Sequence, residues 1–293
     1  MKIALVTNSG LHHSYWLKEL YSKFEVCAVV IVKPKSKQKV SRQIKELGII
    51  WLLLKVCSTI FHRLSKRSYP AVLKKMTKFY FSGHSLSSGT GNTIKCADVN
   101  ESDVIKKIKD ASPDVICFLG GDIARSDFFK NTRALVLNYH SGLSPFYNGS
   151  ATTFQAVANS RPNFCGGTLM VMNEVIDGGD ILSYYLTPIE SNDTAASLFC
   201  KGIIGCVELY TDFLVFYAAN RQFNSIPQER SALYYKASHW TILEDLRLRV
   251  FEKSKKMAAY QREAKIMKIY NRPKAVASEM YAEVLNLLLA KKK

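Results

Sequence analysis

Short apolar runs of strand length recur along the chain with helical patterns between them. Residues 2–7 (KIALVT) read as a strand, followed by Asn8-Ser9-Gly10, by apolar positions at Trp16, Leu17, Leu20 and Tyr21 with helical spacing, and by the apolar run 26–32. This is a β-α-β opening. Residues 34–91 interrupt it and end in a Gly/Ser-rich loop over 82–92 (SGHSLSSGTGN). Alternation then resumes with a strand at 93–97, a helix at 102–109 capped by Asn100 or Ser102, a strand at 115–119 behind Pro113-Asp114, and an apolar run from Ala134 that leads into Asn138. Strands alternating with helices predict an α/β fold, a Rossmann-like, doubly wound and mainly parallel sheet whose ligands bind at the carboxyl ends of the strands.

Farther on, a turn-rich loop holds Ser144-Pro145 and Asn148-Gly149, and a helix capped by Ser150 stops before Pro162. Gly166-Gly167 opens a strand at 168–172. From Asp193 a long helical pattern carries Leu198, Phe199, Ile203, Cys206, Val207, Tyr210, Leu214 and Tyr217, spaced mostly by three and four, as expected of a helix packed on the sheet. Helices are also predicted at 242–252 and 278–290. A length of 293 residues allows one large domain plus an appendage, or two modest domains. The expected division is a catalytic domain over residues 1–225, containing the insertion at about 34–91, and a small, mostly helical accessory region over 226–293.

Composition narrows the class. Hydrophobic residues make up 47% and aromatics 11%, so neither disorder nor a coiled coil describes the whole chain. The net charge of +17 predicts attraction to polyanions, but it is local: residues 33–78 hold thirteen Lys and Arg against one acid, Glu46, and so carry +12 of it. Within that segment the apolar run 47–61 (LGIIWLLLKVCSTIF) is short of the roughly 20 residues needed to cross a bilayer. It is expected to lie in a membrane interface or to dock on the domain, with Arg42, Lys45, Arg63, Lys66 and Arg67 flanking it. Seven Cys without a Cys-x-x-Cys, and no leader before the first strand, argue against a disulfide framework and for a reducing, cytoplasmic setting. No metal site is expected.

The first strand is not followed by Gly-x-Gly-x-x-Gly, and no Gly-Lys-Ser/Thr occurs, which speaks against a dinucleotide enzyme and a P-loop NTPase. The candidate chemistry lies in residues 137–182. Asn138 and His140 are two apart at a strand end, and a period of two sends both side chains to one face. The segment Asp177-Gly178-Gly179-Asp180 follows the next strand, with paired glycines that permit positive φ and close backbone approach to a ligand. A carboxamide, an imidazole and a carboxylate can thus converge. Taken singly, Asn138 is an ordinary turn former, His140 a satisfied side chain and Asp177 a turn Asp; their shared loop system makes the functional reading the stronger one.

Asn138-x-His140, Leu143-Ser144-Pro145-x-Tyr147-x-Gly149 and Ile176-Asp177-Gly178-Gly179 resemble the signature of the folate-dependent formyltransferases, the family of glycinamide ribonucleotide, methionyl-tRNA and sugar N-formyltransferases. The resemblance covers residues 92–182 and, loosely, the first strand. It implies Asn138, His140 and Asp177 as the catalytic trio, 10-formyltetrahydrofolate as formyl donor, and pterin contacts from Leu119, Gly120, Gly121, Asp122 and Ile123 and from Val175, Ile176, Asp177 and Gly178. Asn8, Ser9 and His12, after the first strand, and Tyr147 are candidate acceptor contacts. Three positions depart from the family pattern. Asn148 stands where Arg is usual, Gly121-Asp122 replaces a more apolar pair, and Met170 lies where some members have His.

The implied activity is N-formyl transfer to a small-molecule primary amine, with an amino sugar on a nucleotide or lipid carrier as the favoured acceptor. Nucleic acid is not the expected partner, because the basic excess sits in an insertion and no C-terminal barrel is evident. The anionic carrier, or an anionic membrane surface at the inner face, would meet residues 33–78. Three alternatives stay open. Methionyl-tRNA formylation would use basic surface for phosphate contacts. Formyltetrahydrofolate hydrolysis would be favoured by a domain ahead of the first strand, where this chain begins. A basic membrane- or nucleic-acid-binding module on an inactive fold would not need the trio.

Overall fold

The computed structural model describes residues 1–33, 40–66, 68–84, 92–228 and 234–289. The Gly/Ser-rich loop therefore falls mostly outside the described residues, as does Arg67, and of Arg42 and Lys45 only the backbone is described. The opening forms as its pattern requires: β1 (Lys2–Asn8), α1 (Leu11–Tyr21) and β2 (Glu25–Val32), followed by the basic helices α2 (Val40–Leu64) and α3 (Tyr69–Phe81). The resumed alternation is β3 (Thr93–Cys96), α4 (Ser102–Ala111), β4 (Val115–Leu119), α5 (Ser126–Asn131) and β5 (Leu135–His140). A short β6 (Asn148–Gly149) precedes α6 (Thr152–Ala158), β7 (Gly166–Val171), β8 (Ile181–Leu186) and the long α7 (Ala195–Asn220). The chain closes with β9 (Tyr234–Tyr235), α8 (Ile242–Lys253), β10 (Lys265–Lys268) and α9 (Lys274–Leu289).

Eight strands form one sheet in the order β10-β8-β7-β5-β4-β1-β2-β3. The five from β5 to β3 are parallel, whereas β7, β8 and β10 run antiparallel to their neighbours. The fold is thus α/β and Rossmann-like, with an antiparallel extension on one side. Alternation along β1 shows why both faces are covered. Ile3 and Leu5 join Trp16, Leu20, Tyr210 and Phe213 beneath α1 and α7, while Ala4 and Val6 join Val104, Ile108 and Phe128 beneath α4 and α5.

The segment after residue 226 was expected to be mostly helical, and it also adds β10 to the sheet edge, in register with β8 from Lys265 opposite Leu186 to Lys268 opposite Ser183. Its Trp240, Leu248, Phe251 and Met267 share an apolar cluster with Leu143, Tyr147 and Phe154. The expected cap of α6 also moves by one residue: Ala151, in the left-handed region at φ 55°, stands at the cap instead of Ser150.

Inside the basic segment, α2 breaks at Gly48, whose φ of 80° is left-handed. The part Glu46–Leu64 is 19 residues, long and apolar enough to cross a membrane by length and composition, which lengthens the run read from sequence. One of its faces is engaged by protein. Trp51 Nε1 donates to Ser238 O at 2.9 Å, Lys55 Nζ to Trp240 O at 2.5 Å, and His62 Nε2 meets Asp245 Oδ2 at 2.7 Å. Buried Asp245 also accepts from the Tyr69 N–H (3.1 Å) and Trp240 Nε1 (3.0 Å), so one carboxylate ties α2, α3 and the start of α8 together.

Candidate active site

A cavity of about 510 Å³ opens where β1, β4 and β5 end, the position a doubly wound sheet reserves for ligands. Asn138 and His140 reach it from β5, and Asp177 reaches it from the loop between β7 and β8. Asp177 is itself in the left-handed region, at φ 52°, so the conformational demand foreseen for the glycines falls on the aspartate. Gly179 serves close approach instead. A Cβ there would lie 1.8 Å from Val171 O. Gln228 Nε2 donates to Gly179 O at 2.5 Å and holds the loop from its outer side.

His140 Nδ1 lies 3.3 Å from Asp177 Oδ1, and its Nε2 is 2.9 Å from Tyr147 O. Both neighbours are acceptors, so both ring nitrogens must donate, and only the imidazolium does so. Burial opposes that charge, but the Asp177 charge, its hydrogen bond and the Tyr147 carbonyl outweigh burial and raise the His140 pKa above its ordinary value. Asp177 responds in the complementary direction. Burial alone would raise its pKa, and the His140 charge and hydrogen bond, with Gly149 N–H on Oδ2 at 2.9 Å, hold it below the usual carboxylate range. An ion pair therefore sits on one wall. Beside it, the half-buried Asn138 side-chain amide has no hydrogen-bond partner among the described residues.

The remaining predicted residues divide. Leu119, Gly120, Gly121, Asp122 and Ile123 line the cavity after β4, and Val175 and Ile176 line it opposite. Gly120 and Gly121 are left-handed, at φ 70° and 87°, and Gly121 N donates to Asn8 Oδ1, so Asn8 pins this turn while also lining the cavity. His12 lines it too. Gly178 does not; its N–H turns back to Val175 O at 3.1 Å. Ser9 is exposed and away from the cavity. Tyr147 corrects the expectation most clearly: its ring is 1% exposed, stacked on Tyr235 at 5.6 Å within the apolar cluster, and it serves the site only through its carbonyl.

Met170, Met172, Phe199 and Tyr234 also line the cavity and were not singled out as contacts; His13, which with His12 follows the first strand as a second candidate for the acceptor, lines it as well. Thr7 Oγ1 donates to Leu119 O at 2.7 Å, so its other contact, to His13 Nδ1 at 2.7 Å, is one in which the imidazole donates. Burial lowers the pKa of His13 to about 3 and of His12 to about 4, so both are neutral here. Among the described residues no group of His, Cys, Asp and Glu could hold a metal ion.

An amide beside a buried imidazole–carboxylate pair, at the strand ends of a Rossmann-like sheet, is an arrangement suited to stabilising charge in acyl-type transfer. The chain belongs to the formyltransferase family, whose model, described as formyl transferase, matches residues 57–202. It is 33% identical over 106 residues to a methionyl-tRNA formyltransferase from Lactobacillus gasseri, a match covering 36% of this chain and 33% of the relative. The chain thus matches about a third of the length of that relative. Its fold is similar to a sugar N-formyltransferase from Shewanella (TM-score 0.52, 14% identity, 85% of this chain and 87% of the other). It is also similar to an N-formyltransferase from Helicobacter canadensis in complex with folinic acid and dTDP-3-aminofucose (TM-score 0.50, 17% identity, 87% and 82%). At these identities the likeness is one of fold.

Proposed function

We propose that the protein transfers a formyl group from 10-formyltetrahydrofolate to a primary amine, that of an amino sugar carried on a nucleotide or lipid. The observation that carries this reading is the unpaired Asn138 amide beside the His140–Asp177 ion pair in one cavity. The residues fit a reduced folate. Ile123, Val175 and Ile176, 44–65% exposed, offer apolar contact at the mouth, and the turn from Leu119 to Gly121 offers backbone groups. The bound folate would supply an activated formyl group.

Acyl transfer to an amine places negative charge on the carbonyl oxygen and positive charge on the attacking nitrogen. Asn138 Nδ2 donates to that oxygen, and the His140 imidazolium, kept charged by Asp177, lends its field; one such donor is worth about 10²- to 10³-fold. Asp177 accepts the proton that the amine sheds, directly or through water, and can pass it to the nitrogen that departs with tetrahydrofolate as its bond to the formyl carbon breaks, while Oδ2 stays fixed on Gly149 N–H. For the acceptor, the sugar nucleotide in the Helicobacter complex supports an amino sugar, and the Lactobacillus relative supports methionyl-tRNA. Incubation with 10-formyltetrahydrofolate and a panel of amino-sugar nucleotides and methionyl-tRNA separates them. Mass gain by a sugar supports the reading. Tetrahydrofolate release with no acceptor needed identifies a hydrolase and overturns it.

We also propose that an anionic membrane surface at the cytoplasmic face meets α2. Ile49, Ile50, Leu53, Val56, Ile60 and Leu64 are 49–81% exposed and, at 100° per residue, fall on one face about 120° wide, opposite Trp51, Lys55 and Ser58. Exposed Arg63 and Lys66 border that stripe, and α3 presents Lys74, Lys75, Lys78 and an 80% exposed Phe79. Apolar stripe and cations together favour an anionic lipid surface.

A further inference from the structure

A second cavity, of about 240 Å³, adjoins the first and shares Ser141, Ser150 and Phe199 with it. Its aromatic lining comes from four segments: Tyr69 of α3, Phe154 of α6, Phe199 of α7 and Trp240 ahead of α8. The Tyr69 ring lies 4.7 Å from Phe154 and 4.8 Å from Trp240, centroid to centroid. Asp245 holds two of these walls in place, through the Tyr69 N–H and Trp240 Nε1. The basic insertion and the C-terminal segment thus each add a wall to a cavity whose floor comes from residues 150–155.

Gln155 supplies a side-chain amide to the wall of this cavity. The residue is only 3% exposed and lines the cavity, yet its side-chain amide has no hydrogen-bond partner among the described residues. Its neighbours are spoken for: Thr152 Oγ1 donates to Ser141 O at 2.5 Å and Thr153 Oγ1 to the same oxygen at 3.3 Å. An amide that opens on a cavity without a protein partner can both donate to and accept from a ligand there. Lys236 is exposed and also lines this cavity, whereas among the described residues no Lys or Arg lines the first one.

We propose that this second cavity seats the ring of the acceptor, an amino-deoxy pyranose, with its hydroxyls on the Gln155 amide and its apolar face against Tyr69 and Trp240. Lys236 then meets the phosphate by which the sugar is carried. The inference rests on the formyl-transfer reading and adds the substrate's binding site to it. A methionyl group is disfavoured here, because a thioether cannot satisfy Gln155, and a site built around a polar group rejects an analogue that leaves it unpaired.

The test is equilibrium binding by calorimetry of dTDP-3-aminofucose, of 3-aminofucose on a short polyprenyl phosphate, and of methionine amide, with 5-formyltetrahydrofolate titrated in parallel. Gln155→Leu and the longer, unbranched Gln155→Met should bind the sugar probes about tenfold or more weakly, with folate affinity unchanged. Lys236→Gln should weaken binding of both phosphate-bearing probes. The tighter of the two sugar probes identifies the carrier. Equal sugar binding by wild type and both Gln155 variants, or no binding of either sugar probe, would overturn the inference. So would methionine amide bound as tightly as the sugars. Failure of the wild type to bind folate would strike the formyl-transfer reading itself, an outcome separate from these.

Discussion

Replacing Asp177 by Asn removes a charge from a buried pair while keeping the side chain's shape. In the wild type Nδ1 of His140 stands 3.3 Å from Asp177 Oδ1, and two unit charges at that separation attract by roughly 5 kcal/mol at an effective dielectric of about 20. That attraction is what outweighs burial and lifts the imidazole pKa. In Asp177→Asn burial is opposed only by the Tyr147 carbonyl, so the His140 pKa should fall from its raised position. Stability follows with a definite sign. The raised pKa of His140 contributes stability that is fully present below pH 6.5 and lost as pH rises through its folded value. The lowered pKa of Asp177 contributes stability present above pH 3.8 and lost as pH falls through its folded value. The pair therefore stabilises most between those two limits, and that maximum should vanish in the variant. The assay is NMR titration of the His140 ring, with thermal unfolding across the same pH range and turnover at neutral pH, where a loss of about 10²- to 10⁴-fold is expected. A His140 that titrates alike in both proteins would refute the reasoning.

Asn138→Ala should reduce turnover by about 10²- to 10³-fold with folate affinity nearly unchanged, since the amide's work is done as charge develops; a fall in affinity alone, read by calorimetry, would show a binding role instead. Gly179→Ala forces a Cβ to 1.8 Å from Val171 O, so unfolding midpoints in urea should report a loss of about 1–3 kcal/mol or more, with turnover falling as Asp177 is displaced. Vesicles with anionic lipid should recover the protein at low salt and release it as salt is added, whereas neutral vesicles should not; equal recovery on both, or a salt-insensitive dimer in place of binding, would contradict a lipid surface as the partner of α2.

What the sequence disclosed was local. The short apolar runs of β1 and β4 could be read as strands because both of their faces are buried, and Asn138 and His140 followed from two positions at one strand end. Asp177 was legible from its neighbours, although the left-handed residue proved to be the aspartate and Gly179 the point of close packing. Tyr147 was misread because nothing local shows that a loop aromatic turns inward to stack on Tyr235, far along the chain. The same limit hid β10, which pairs with β8 across nearly eighty residues, and Asp245, which draws together Tyr69, His62 and Trp240. Composition marked residues 33–78 as basic, but only tertiary contacts reveal that α2 engages the protein on one face and leaves an apolar stripe on the other.

The central claim is that Asn138, His140 and Asp177 together move a formyl group to an amine. The most direct measurement follows carbon from 10-formyltetrahydrofolate labelled in the formyl group, in a single turnover with an amino-sugar nucleotide, by NMR and mass spectrometry of the acceptor. The label should appear as an N-formyl amide on the sugar with the wild-type protein and be absent over the same interval with folded, folate-binding His140→Ala. Label released as free formate, or transferred equally by His140→Ala, would contradict it.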